Sequence, residues 1–131
     1  MWTGHLSQEE MTLSSTLYER LGGHRGISAI VNDLVDLHFA NPLIQARFAK
    51  SDPASLKSAA ALFFCAGSGG PEVYAGKNML DAHHSMNISE QEFLAVLDDA
   101  LESLAKNGVG AQEQMEVLFI LYSMRKQVVR V

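Results

Sequence analysis

The chain has 131 residues, which suits one domain, and its 10 Lys and Arg against 15 Asp and Glu leave a net charge of −5, which excludes a clustered basic face for nucleic acid. Hydrophobic residues make up 47% and charged residues 19%, which excludes a disordered chain. The single Cys65 excludes an intramolecular disulfide and points to a cytoplasmic location; the first ten residues lack a secretory signal, and the longest apolar run, Ala59–Ala66, is too short for a membrane span.

Nine of the ten glycines fall in three groups: Gly22, Gly23 and Gly26; Gly67, Gly69, Gly70 and Gly76; Gly108 and Gly110. Glycine is costly inside helices and useful at their ends, so these groups read as junctions between helices. Residues 1–14 are polar and mixed, an arm before the fold. A short helix is expected over Leu13–Leu21, with Ser14 or Ser15 as cap and Gly22-Gly23 as stop. Ile27, Ile30, Val31, Leu34, Val35, Leu37 and His38 follow helical spacing and predict a longer second helix ending near Asn41-Pro42. Pro42 opens a turn of helix carrying Leu43, Ile44 and Phe48. Asp52-Pro53 starts a helix that reaches Ala66 and is apolar all round from Ala59, so burial on several sides is expected.

Gly67–Lys77 reads as a loop, followed by a short helix from about Asn78 to Ser85. Ser89 and Glu92 form a capping box opening a helix with Phe93, Val96, Leu97, Leu101 and Leu104 on one face. After the Gly108–Gly110 break a last helix runs to about Arg125, with Met115, Leu118, Phe119, Leu121 and Tyr122 as expected core. No convincing strand appears, so the fold class is all-α.

The chemistry rests with five histidines, His5, His24, His38, His83 and His84. His5 belongs to the arm, His24 to a glycine junction, and His38 to an apolar helical face where a packed histidine is the ordinary outcome. His83 and His84 are adjacent and point about 100° apart on a helix, so they cannot share a metal, and a His-Glu-x-x-His zinc pattern is absent. One of them suits the role of a single axial ligand. Met79, Ala82, His83 and Met86 share one helical stripe, whereas His84 points off it.

The segment GGPEVYAGKNMLDAHHSMNIS, Gly69–Ser89, resembles the group I truncated haemoglobins, in which a Gly-Gly loop, a Tyr-x-Gly and a Met-x-x-Ala-His run carry the proximal histidine. LYERLGGHRGI, Leu17–Ile27, resembles that family's first helix and glycine junction, and Ala40–Phe48 resembles its second-helix end and haem-stacking phenylalanine. The resemblance spans about Leu17 to Tyr122. It implies a truncated globin-like two-over-two helical sandwich, a single globin domain over residues 15–131 behind the arm, in which the long helices carrying Leu34 and Phe63 cross the last two.

The resemblance further implies a haem b with His83 as iron ligand. Met79, Met86, Ile88, Phe93 and Val96 would wall the proximal side, and Phe48 would stack on the porphyrin. Lys77 would meet a propionate, ahead of Lys50 or Arg47. On the distal side the family's tyrosine falls on Val35 and its glutamine positions on Leu56 and Ala60, none of which can donate a hydrogen bond. Ala59 stands where some relatives carry an internal ligand, while His38 and Lys57 are polar neighbours off the counted positions. Phe64 takes the place of a tunnel-gating phenylalanine beside Phe63 and the small Ala59–Ala61. The expected function is reversible binding of a diatomic gas with weak oxygen stabilisation, and nitric oxide dioxygenation only with a reductase partner. The alternative is a globin-like sensor or interaction module. No nucleic-acid or membrane partner is expected, and the chain would be a monomer or weak homodimer.

Overall fold

The computed structural model describes residues 15–131; the expected arm, His5, a helix start at Leu13 and the Ser14 cap lie outside the described residues. The helices are α1 Leu17–Arg20, α2 Gly23–Ala40, α3 Pro53–Gly67, α4 Met79–His83, α5 Glu90–Lys106, α6 Ala111–Ser123 and α7 Arg125–Val128, with a 3-10 turn over Gln45–Phe48. No strand forms among the described residues, only an isolated parallel bridge between Ile88 and Val129.

Local chemistry sets the helix ends. Thr16, rather than Ser14 or Ser15, caps α1: its side chain accepts from the Glu19 N–H. Gly22 takes the left-handed conformation, φ 96°, and Gly26 lies so near the Leu21 carbonyl that a Cβ would sit 2.2 Å from its oxygen. That close approach lets α2 begin at Gly23, well before the first apolar position. The Asp52 carboxylate accepts from the Ser55 N–H ahead of Pro53. The capping box of α5 forms in both directions, between Ser89 and Glu92.

α2 is the central element. It packs on α3 along one side and on α5 along another, and α5 packs on α6. The larger core joins Leu17, Leu21, Ile27, Ile30, Val31, Val35, Ala61, Cys65, Leu104 and Val117. A second, smaller core joins Ile88, Phe93, Leu97 and Val128.

Two expectations about burial fail. In α3 only Ala61 and Cys65 are buried, because α2 is the one helix with extensive contact to it. In α6 the buried residue is Val117, with Leu118 and Leu121 half-buried; Met115, Phe119 and Tyr122 are 70%, 76% and 53% exposed. Its apolar residues run nearly all round, so periodicity did not choose a face. The last helix also stops at Ser123, and Met124 turns the chain into α7.

Candidate functional site

α4 is short and defined by its cap. Asn78 accepts from the Asp81 N–H, and the helix ends at His83, after which Ser85 and Asn87 take left-handed φ of 69° and 51°. The stripe from Met79 to His83 puts their side chains on one face. His83 Nδ1 lies 2.8 Å from the Met79 carbonyl oxygen. A carbonyl can only accept, so Nδ1 carries the proton and Nε2 keeps its lone pair in the neutral ring. Nε2 makes no hydrogen bond among the described residues. His84 is exposed.

Around His83 the structure gathers most of the expected proximal residues. Ile88 and Phe93 are buried in the smaller core, with Met79 and Met86 packed against it. Val96 is half-buried, outside either core. The Lys77 backbone carbonyl accepts from the Tyr74 hydroxyl at 2.8 Å, and its exposed ammonium has no ion-pair partner among the described residues. Arg47 is committed elsewhere. Its guanidinium donates to Glu92 at 2.6 and 2.9 Å and to the Met86 carbonyl at 2.9 Å. That guanidinium holds the Glu92 carboxyl down at about 2.

The counted distal positions also converge. Val35 is in the larger core, with Leu56, Ala60 and Phe64 packed against it. Leu34 is buried but belongs to neither core. Phe63 stands edge-on to Phe64 and to Tyr74, centroids 5.9 and 5.3 Å apart. Ala59 is exposed.

The two polar neighbours of this region are both tied down. His38 is buried, its Nδ1 2.7 Å from Asp99 Oδ2, and burial pushes its pKa below the usual histidine range. Lys57 Nζ pairs with Asp36 at 2.8 Å. Phe48 lies parallel to the His38 ring, 5.6 Å between centroids, and near-parallel to Phe39 at 5.4 Å. Phe48 was expected to stack on a porphyrin, and these two ring partners were not foreseen.

Also missed were Asp99, which accepts from both His38 and Asn41, and the C-terminal segment. Val128 completes the smaller core, Arg130 N–H donates to the Ile88 carbonyl at 2.9 Å, and Asn87 N–H donates to Val131 at 3.1 Å. This tail braces the turn just after His83. The second Asp of the Asp98-Asp99 pair, inside an amphipathic helix, and a Val-Val pair near the end were the faint signals for these roles.

A profile of bacterial-like globins matches residues 16–130. A group 1 truncated haemoglobin of Tetrahymena pyriformis is 30% identical over 99 residues, 76% of this chain and 82% of that protein. A group 1 truncated haemoglobin of Nostoc sp. is 28% identical over 111 residues, 85% of this chain and 94% of that protein. The crystal structure of the Tetrahymena pyriformis truncated haemoglobin in its Fe(III) form matches with a TM-score of 0.86 at 27% identity, over 89% of this chain and 100% of that one. The 2/2 haemoglobin of Synechococcus sp. shares the fold, with a TM-score of 0.82 at 23% identity over 88% and 98% of the two chains. The helical arrangement described above is the two-over-two sandwich that these structures share.

Proposed function

Because the chain belongs to the bacterial-like globin family, we propose that it holds a haem through His83 and reversibly binds a diatomic gas. The observation that carries this reading is the His83 hydrogen bond to the Met79 carbonyl, which fixes the ring and its tautomer and leaves Nε2 available as a ligand nitrogen. A haem supplies an iron site at which small neutral gases bind and leave.

The remaining residues fit such a group. Met79, Met86, Ile88 and Phe93 offer an apolar proximal wall. α3 is apolar beyond its contact with α2, and Leu56, Ala60, Phe63 and Phe64 give it a wall on which a flat apolar body packs. Lys77, exposed and without an ion-pair partner among the described residues, is the favoured partner for a propionate over Arg47, whose Nε, Nη1 and Nη2 already donate to Glu92 and Met86. Val35, Leu56 and Ala60 exclude water and donate nothing, so they hold a gas by contact alone. A charge-assisted donor contributes about 1.5–3 kcal/mol, and its lack amounts to oxygen retention weaker by roughly 10- to 100-fold.

The test is the absorbance of the purified, haem-supplemented protein. A Soret band is expected, and none at all would favour the helical interaction module. His83→Ala should lose stable haem, with recovery on added imidazole, while His84→Ala should keep it. Loss in His84→Ala alone would shift the ligand by one residue and overturn the assignment.

A further inference from the structure

A second donor set lies outside the region of His83. His24 in the first turn of α2, Cys65 near the end of α3 and Glu72 in the loop after it bring a ring nitrogen, a thiol sulfur and a carboxylate oxygen all within 4.8 Å of one another. We propose that these three residues bind one zinc ion and thereby fasten the loop to the ends of α2 and α3.

The spacing carries the argument. Zinc bonds of about 2.1 Å to nitrogen, 2.0 Å to oxygen and 2.3 Å to sulfur, set tetrahedrally, place nitrogen about 3.3 Å from oxygen and about 3.6 Å from sulfur. Here His24 Nδ1 is 3.1 Å from Glu72 Oε2 and 3.7 Å from Cys65 Sγ. Both edges lie within about 0.2 Å of the tetrahedral values, and the sulfur–oxygen edge is within 4.8 Å. Nitrogen, sulfur and oxygen together suit a borderline cation such as zinc; magnesium and calcium take oxygen alone. Zinc binding releases to solvent the proton of the Cys65 thiol, which burial otherwise pushes up to about 12; the resulting thiolate and the carboxylate balance the two charges of the ion, and three protein ligands leave one position for water.

The Cys65 thiol, with His24 and Tyr18, holds the Glu72 carboxyl below its ordinary range, yet its buried Oε1 has no hydrogen-bond partner among the described residues, whereas buried carboxylate oxygens are ordinarily satisfied. A cation beside the carboxylate supplies what that oxygen lacks. The approach is open from one side only: Cys65 is fully buried and the Glu72 side chain is 15% exposed, but the His24 side chain is 58% exposed. The surroundings hold the donors in place. The Tyr18 hydroxyl accepts from the His24 N–H at 3.0 Å. Gly70 lets the Tyr18 ring lie against the loop, since a Cβ there would be 2.4 Å from the ring. No other three such donors converge among the described residues.

The test uses the 131-residue chain as purified. It is treated with EDTA, given one equivalent of zinc sulfate, desalted, and its zinc counted per chain by mass spectrometry. About one zinc per chain is expected, with one Zn–S distance of about 2.3 Å in the X-ray absorption fine structure. His24→Ala, at an exposed position that spares the core, and Glu72→Gln should each weaken binding at least about tenfold in competition with a chromogenic chelator. His84→Ala should bind as the parent does. No retained zinc, a first shell without sulfur, or affinity unchanged in both His24→Ala and Glu72→Gln would overturn the proposal. None of these outcomes depends on haem, so they are independent of the His83 assignment.

Discussion

His83 owes its identity to its position in a short motif and its chemistry to one backbone carbonyl. The motif was readable because Met79 and His83 are four residues apart, one helical turn, so the hydrogen bond is local. The distal residues behave differently. Val35 is 1% exposed in the larger core, so Val35→Tyr would overpack α2 by about 1–3 kcal/mol before its hydroxyl reached a gas. Leu56 is only half-buried and lies on α3, which makes Leu56→Gln the gentler way to add a donor. Stopped-flow measurements should show oxygen release slowed about tenfold in Leu56→Gln, the scale of one such bond, and carbon monoxide release nearly unchanged. Equal slowing of both gases would mean that the amide obstructs the path. Ser85 gives a backbone prediction. It sits at φ 69°, where a side chain is strained, so Ser85→Gly should raise stability by about 0.5–1 kcal/mol in chemical denaturation.

At the scale of elements, two polar links tie α5 to α2 and to the 3-10 turn over Gln45–Phe48. Asp99 of α5 accepts from His38 of α2 and from Asn41 just beyond it. Asp99→Ala would leave the buried His38 donor unsatisfied and should cost about 2–4 kcal/mol, read as a lower urea midpoint at unchanged slope. Asp99→Asn keeps an acceptor and should cost less. The second link joins Arg47 to Glu92 at the start of α5. Glu92 has a folded pKa of about 2, below its ordinary 4.5, so the folded state binds fewer protons between those values. Its contribution is present above about pH 4.5 and is lost as pH falls through about 2. Arg47 is a third exposed, so solvent screening reduces that contribution to about 1–2 kcal/mol. Arg47→Ala should flatten the stability curve between pH 5 and 2 by that amount, and an unchanged slope would show the pair to be idle. Neither link was legible in the sequence, since each joins residues 45 to 61 positions apart and no local pattern records such pairs.

Across the whole molecule, the end of the chain returns to the turn that follows His83. Val128 fills the smaller core, and the Ile88–Val129 bridge ties the tail to it. Val128→Ala should therefore cost about 1–2.5 kcal/mol and speed haem loss to a scavenging apoglobin more than an equally destabilising change in the larger core. Among the described residues no helix is long and apolar enough to cross a membrane. By itself the sequence determined the all-α class, the caps of α3 and α5, the glycine junctions and the stripe shared by Met79 and His83, because these depend on residues within one or two turns of each other. The tertiary structure decided which face of an evenly apolar helix is buried. It left most of α3 uncovered and put Val117, not Met115 or Phe119, in the core of α6. It also paired Arg47 with Glu92, tied His38 to Asp99, and drew His24, Cys65 and Glu72 together. Burial and ion pairing depend on which surfaces meet, and an apolar helix with no polar stripe carries no local record of its partner.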